Sequence, residues 1–141
     1  MHEALRHIVR LPVNWQVDAD QLVQQALTRA AAALGMEEAS WKRMELDILL
    51  RDWLERLSFW LTAPAQNWTE KEFVGPSGEL VRLDRLVHRE GEWTIVDYKT
   101  GLPDDHHPRQ VNRYRRVLKT LGIEAAGKLV YLDQGEIRDV E

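Results

Sequence analysis

The run WTIVDYK, residues 93–99, constrains the fold more than any other part of the chain. Its β-branched and aromatic residues predict a strand, and Val96 and Tyr98 fall on the face opposite to Asp97 and Lys99. Both faces carry apolar residues, which is typical of a central strand covered on both sides. A buried charge without compensation costs several kcal/mol. We therefore expect Asp97 and Lys99 either to form a structural ion pair or to hold a ligand.

Composition limits the kind of protein. With 141 residues, six tryptophans and 44% hydrophobic residues, the chain can bury one sizeable core, and we expect a single domain. It has no cysteine, which excludes disulfides and Cys-ligated zinc or iron–sulfur sites and fits a reducing cytoplasm. No apolar run is long enough for a membrane span. The net charge of -4 argues against a nucleic-acid contact over the whole surface but leaves room for a local basic patch.

Helical periodicity predicts an N-terminal helical portion over residues 1–64. A short helix covers residues 2–9, a second follows Asp20 as its N-cap and stops at Gly35, and a third starts near Glu37 and ends before Pro64. The third carries an apolar stripe that we assign to the core: Trp41, Met44, Ile48, Leu57 and Leu61.

The rest of the chain predicts a mixed sheet. Residues 72–74, 80–88 and 93–99 form an antiparallel meander, residues 101–108 form a loop, and a helix begins at Arg109 and stops at Gly122. Two strands, 128–132 and 136–140, close the chain. The order of elements predicts an α/β fold, a central mixed β-sheet flanked by helices on both faces.

A second acidic residue, Asp84, interrupts the apolar run of the preceding strand. Antiparallel pairing through the turn near Gly91 brings Asp84 close to Asp97. Adjacent carboxylates repel each other unless a cation lies between them, and hard oxygen ligands suit Mg²⁺ or Mn²⁺. With Lys99 beside the metal to position or help deprotonate a water, this set of groups predicts hydrolysis of a phosphodiester.

Three spaced motifs together resemble a known family. They are LDRL at 83–86, VDYKTG at 96–101 and Q-x-x-x-Y at 110–114. They resemble the RecB-like branch of the PD-(D/E)XK nuclease superfamily, in particular the C-terminal nuclease domains of RecB- and AddA-type helicase–nucleases. The match spans residues 70–114, and residues 129–137 look like the last strands of these domains. The resemblance implies a restriction-endonuclease-like nuclease core over residues 65–141.

The resemblance also implies a role for each matching residue. Asp84 and Asp97 would bind the metal, the backbone carbonyl of Tyr98 would add a ligand, and Lys99 would be the catalytic lysine. Any iron–sulfur relative of the superfamily is excluded by the lack of cysteine.

Gln110 and Tyr114 are four residues apart, on one helix face, and would line the site to hold the lysine or the DNA. Helix capping is the alternative for Gln110, and core packing is the alternative for Tyr114.

Two further positions follow from the family pattern. His2 matches the histidine of the first helix as a metal ligand, with His7 as the fallback, although the preceding glycine of that pattern is missing. Glu70 fits the acidic position of the first strand better than Glu72. Without the family resemblance, we would interpret these two histidines and two glutamates as ordinary solvated residues.

The predicted helix from Arg109 is basic. Arg109, Arg113 and Arg116 form one stripe beside the proposed site, which predicts contact with DNA phosphates; an ordinary solvated helix face is the alternative. His106 and His107 precede the arginine stripe, and their spacing does not indicate a metal site.

The sequence thus predicts a Mg²⁺- or Mn²⁺-dependent DNA nuclease, an exonuclease of DNA repair or recombination cut from a longer helicase–nuclease chain. No P-loop motif occurs within the 141 residues, so if ATP drives the process, a helicase segment of the parent chain or a partner subunit must use it. The rival reading is a nuclease-fold module that binds DNA or a partner without cutting.

Overall fold

The computed structural model describes residues 1–37 and 45–141. The chain forms two compact units, Met1–Ala65 and Gln66–Glu141, whose boundary lies one residue from the predicted limit of the helical portion. Within the described residues, no helix has the length and apolarity needed to cross a membrane.

The N-terminal unit is helical. Helix α1 spans His2–Arg6, a 3₁₀ turn spans Trp15–Asp18, helix α2 spans Ala19–Leu34 and helix α3 spans Leu46–Leu61. Its helices bury most of their apolar stripes, as their periodicity predicts. Ile48, which we assigned to the core stripe of the third helix, is instead 65% exposed, because nine residues before the buried Leu57 it falls on the opposite side of α3. The largest fully buried side chains of the unit are those of Leu5, Leu11, Trp15, Leu50, Trp53, Leu54, Leu57 and Leu61.

Some helix boundaries differ from the prediction. Asp20 lies in the first turn of α2 and Asp18 occupies the N-cap, because the 3₁₀ turn runs directly into the helix. Gly35 ends α2 in the left-handed conformation at φ 68°, as predicted. Helix α1 stops at Arg6, three residues before the predicted end. Trp41 and Met44, which we assigned to the third helix, lie outside the described residues.

The C-terminal unit is built on a five-stranded mixed sheet. Its strands are β1 (Gln66–Val74), β2 (Leu80–Arg89), β3 (Glu92–Lys99), β4 (Ala125–Tyr131) and β5 (Glu136–Val140), in the order β1-β2-β3-β4-β5. The predicted antiparallel meander is confirmed for β1 to β3, and β3 is the central strand. Strand β4 runs parallel to β3, and β5 pairs antiparallel with β4. The predicted α/β class, a mixed sheet with an N-terminal helical portion, is confirmed.

Helix α4 (His106–Thr120) connects β3 to β4 and packs on one face of the sheet. It begins three residues before Arg109, because Pro108 falls in its first turn, where a missing N–H breaks no helical hydrogen bond. A Cβ atom on Gly127 of β4 would lie only 2.6 Å from Cγ1 of Val111. The absence of that atom lets α4 approach the sheet closely at Val111, the residue after Gln110.

Candidate active site

Acidic residues occupy neighbouring positions on β1, β2 and β3. The β1–β2 register continues from the pair Thr69 and Arg85 to place Glu70 across from Asp84. Carboxylate oxygens of Glu70 and Asp84 lie within 4.8 Å of each other. The β2–β3 register ends at Arg85 and Val96, so the next positions, Asp84 and Asp97, face each other. The antiparallel meander therefore brings three carboxylates from three strands together.

The carboxylate of Asp97 is buried, with only 3% of the residue exposed. Burial first, and then the negative charge of Asp84, raise the pKa of Asp97 to about 7, although the nearby Lys99 ammonium acts in the opposite direction. Without a further positive charge, the site thus resists having Asp84 and Asp97 ionised together.

The ammonium group of Lys99 is held by two oxygen atoms. Its Nζ lies 3.0 Å from Oδ2 of Asp97 and donates a hydrogen bond of 2.5 Å to Oε1 of Gln110. The side chain of Lys99 is 20% exposed, so this part of the site is partly open to solvent while Asp97 and Gln110 hold the ammonium. The side chain of Gln110 is engaged with the lysine at the start of α4, one helical turn before Tyr114.

Tyr98 orients Asp84. Its backbone N–H donates a hydrogen bond of 2.9 Å to Oδ2 of Asp84, which fixes the carboxylate at the edge of the site. Its side chain is buried on the other face of β3, and this burial raises the pKa of the Tyr98 phenol. The role that we predicted for the Tyr98 carbonyl, metal coordination, stays a prediction.

Tyr114 lies in the apolar core under α4 and is 8% exposed. Burial raises the pKa of its phenol, and the negative charges of Asp97 and Asp84 add to this effect. Tyr114 therefore packs in the core, which is the alternative that we gave for it. It also lies near enough to Asp84 and Asp97 for their negative charges to raise the pKa of its phenol.

Glu70 and Glu72 differ in their surroundings. Glu70 has a backbone φ of 51°, which is uncommon for a residue with a side chain, and its Oε2 lies 3.0 Å from Nε of Arg82. Glu72 is exposed. Glu70 is therefore the acidic residue of β1 that reaches Asp84.

The predicted arginine stripe lines a surface pocket on α4. Arg109, Arg113 and Arg116, together with His106, His107 and Gln110, surround a space of about 460 Å³. Arg113 already pairs with Glu79, at 2.5 Å between Nε and Oε1, which raises the pKa of Arg113. Arg109 and Arg116 are exposed.

The histidines proposed as metal ligands belong to the N-terminal unit. His2 is the first residue of α1. His7 follows the helix, and its Nε2 lies 3.2 Å from Oε1 of Glu3. Metal binding by His2 or His7 stays a prediction.

One residue received no role from the sequence, although it stands inside the LDRL motif. Arg85 is fully buried, with 0% of the residue exposed. Its Nε donates to the hydroxyl of Tyr98 at 3.0 Å and its Nη1 donates to Oδ1 of Asn67 at 2.8 Å. An arginine within an apolar strand run was the available signal, because such a charge must find partners.

The chain is similar to known proteins in two respects, to a solved structure and to a protein family. No curated protein matches the chain. Among solved structures, the one titled "Crystal structure of SSO0001" is similar, with a TM-score of 0.39 and 22% sequence identity. The alignment covers 96% of this chain and 64% of that chain, so this chain spans less than two thirds of that protein. The family profile described as the PD-(D/E)XK nuclease superfamily matches residues 1–140, and the chain therefore belongs to that superfamily.

Proposed function

We propose that this protein is a metal-dependent nuclease that hydrolyses phosphodiester bonds of DNA at Asp84, Asp97 and Lys99. One observation carries the proposal: a buried carboxylate, Asp97, faces a second one and holds a lysine that Gln110 fixes from the other side. Members of the superfamily are usually metal-dependent nucleases, which supports the same reading.

The acidic residues suit a divalent metal ion. Asp84, Asp97 and Glu70 offer hard carboxylate oxygens, the ligand type that Mg²⁺ and Mn²⁺ prefer. Burial and the charge of Asp84 raise the pKa of Asp97 to about 7, so a divalent cation bound beside it would favour the ionised carboxylate. The resemblance adds His2 and the Tyr98 carbonyl as candidate ligands. When bound, the ion would supply Lewis-acid stabilisation of phosphate oxygens and a more acidic water.

Lys99 places a fixed positive charge at the exposed side of the site. Because Gln110 and Asp97 both hold its Nζ, the ammonium needs no reorganisation to donate to a phosphate oxygen or to a water. Tyr114 contributes through the same helix, by packing the Gln110 turn against the sheet. Hydrolysis by an attacking water needs no covalent enzyme intermediate.

The basic face of α4 is the proposed contact for DNA phosphates. Arg109 and Arg116 are exposed beside Gln110, and Arg113 would join them after exchanging Glu79 for a phosphate. Each such contact would make binding more sensitive to salt.

We further propose an exonuclease of the RecB-like branch that acts in DNA repair or recombination beside a helicase segment. The support is the set of three motifs around Asp84, Lys99 and Gln110. A non-catalytic DNA-binding module is not favoured, because such modules have no need for the carboxylates, the lysine and the glutamine in one cluster.

The test is cleavage of end-labelled single- and double-stranded DNA with Mg²⁺, Mn²⁺ or EDTA. The unmodified protein should cut only with metal, and Lys99→Ala and Asp97→Ala should abolish cutting. Lys71→Ala, which removes an exposed lysine from the same sheet, is the matched control and should cut normally. Product lengths from each labelled end separate exonuclease from endonuclease action.

Cutting that persists in EDTA or in Asp97→Ala would refute the proposed site. DNA binding by the unmodified protein without any cutting would point instead to the non-catalytic module.

A further inference from the structure

A buried hydrogen-bonded brace crosses the sheet on the face opposite to Asp97. Arg85, in the middle of β2, donates from Nη1 to Oδ1 of Asn67 on β1 and from Nε to the hydroxyl of Tyr98 on β3. The register pairs Arg85 with Val96, so Tyr98 is its diagonal neighbour on the same face. One guanidinium thus ties three adjacent strands together.

The same three strands carry the acidic residues. Glu70 lies three residues after Asn67, Asp84 directly precedes Arg85, and Asp97 directly precedes Tyr98. Successive side chains of a strand point to opposite faces, so the brace lies behind the carboxylates. Spacing between the strands at this level determines the distances between the carboxylate oxygens.

The brace also reaches Asp84 directly through Tyr98. The hydroxyl of Tyr98 accepts from Arg85 while its backbone N–H donates to Oδ2 of Asp84. Holding the ring of Tyr98 therefore also holds the amide that orients the carboxylate.

We propose that Arg85 is a positioning residue of the metal centre, which sets the separation and orientation of Asp84 and Asp97 through the Asn67–Arg85–Tyr98 brace. This inference rests on the proposed metal-dependent function. The planar guanidinium can donate from two nitrogens to two strands at fixed angles, whereas the ammonium of lysine is a compact point charge on a flexible stem. Geometry, and not charge alone, is thus the property that Arg85 supplies.

The experiment measures Mn²⁺ binding by calorimetry at pH 8, together with DNA binding in EDTA. Arg85→Met should weaken Mn²⁺ binding by about tenfold or more, the usual effect of losing a group that orients a ligand. Arg85→Lys keeps the positive charge but should bind Mn²⁺ almost as weakly as Arg85→Met. Tyr98→Phe, which removes one hydroxyl, should also weaken Mn²⁺ binding, but by a smaller factor.

Controls separate positioning from general destabilisation. Val87→Ala removes buried volume from the same strand and should lower the unfolding temperature while leaving Mn²⁺ affinity unchanged. DNA binding in EDTA should be the same in all folded variants, because Arg85 is buried away from solvent.

The outcomes that oppose the inference are distinct. Equal Mn²⁺ affinity in the unmodified protein, Arg85→Met and Tyr98→Phe would overturn the inference alone. If Arg85→Met does not fold, unchanged affinity in Tyr98→Phe overturns it. Full recovery of Mn²⁺ affinity in Arg85→Lys would show that the charge at this position, and not its hydrogen-bond geometry, is what matters, and would overturn the inference. If the unmodified protein binds no Mn²⁺, the proposed function fails and the inference fails with it.

Discussion

Asp97→Asn should make the metal-free protein more stable while it abolishes the activity. Burial and the charge of Asp84 raise the pKa of Asp97 from an ordinary value of 3.8 to about 7. The folded protein therefore binds a proton on Asp97 more tightly than the unfolded chain does. Its contribution to stability is complete below pH 3.8 and is lost as the pH rises through 7. Asparagine cannot ionise, so the variant escapes this loss.

The size of the effect follows from the same two pKa values. Each pKa unit corresponds to ~1.4 kcal/mol, so a difference of about three units amounts to ~4 kcal/mol at pH 8. At pH 5 Asp97 is still protonated in the folded state, and the penalty is less than half as large. The free energy of unfolding of Asp97→Asn relative to the unmodified protein should therefore rise by roughly 2 to 3 kcal/mol from pH 5 to pH 8. The attraction of Lys99 is already included in the raised pKa of Asp97, so the lost ion pair adds no separate contribution to this difference.

The assay is urea unfolding in EDTA at pH 5, 6, 7 and 8. Asp52→Asn, which removes an exposed carboxylate from α3, is the matched control and should show no such rise. A stability difference between Asp97→Asn and the unmodified protein that stays constant or falls with increasing pH would refute the reasoning. Added Mn²⁺ at pH 8 should stabilise the unmodified protein and not Asp97→Asn.

Three other substitutions test neighbouring parts of the structure. Gly127→Ala should cost about 1 to 3 kcal/mol in urea unfolding, because its Cβ would lie 2.6 Å from a methyl group of α4, whereas Gly75→Ala, with contacts of 3.6 Å or more, should cost less. Gln110→Leu should lower the cleavage rate by about tenfold or more without changing DNA binding in EDTA, because the lysine loses its 2.5 Å acceptor. Arg116→Gln should reduce the slope of log affinity against log salt concentration by about 1, and Lys119→Gln, outside the arginine pocket, should not.

The sequence predicted the sheet best where the signal was local. The alternation around Asp97 predicted the central strand, and the tight turn at Gly91, with φ 77°, predicted the pairing that brings Asp84 beside it. The start of α4 was predicted three residues late, because proline was read as a limit of the helix although a first turn tolerates it.

Contacts between residues distant in sequence could not be predicted. The bond from Arg85 to Asn67 joins residues 18 apart and depends on the β1–β2 register. The pair of Arg113 with Glu79 joins residues 34 apart, and it shows that one arginine of the predicted stripe already has an acidic partner. A local pattern indicates that a charge needs a partner, but only the packed sheet determines which one.

Burial of Asp97 on β3 both holds its carboxylate in place and makes its ionisation unfavourable. A carboxylate at the surface would be solvated and movable, whereas Asp97 is held by the strand, by Lys99 and by the sheet around it. The same desolvation raises its pKa to about 7, so without a cation the contribution of Asp97 to stability is least favourable at the pH where it is ionised. Lys99 cannot remove this cost, because the raised pKa already includes its opposing charge. A site that binds a divalent cation gains back this free energy on binding, which couples the stability of the sheet to the proposed chemistry.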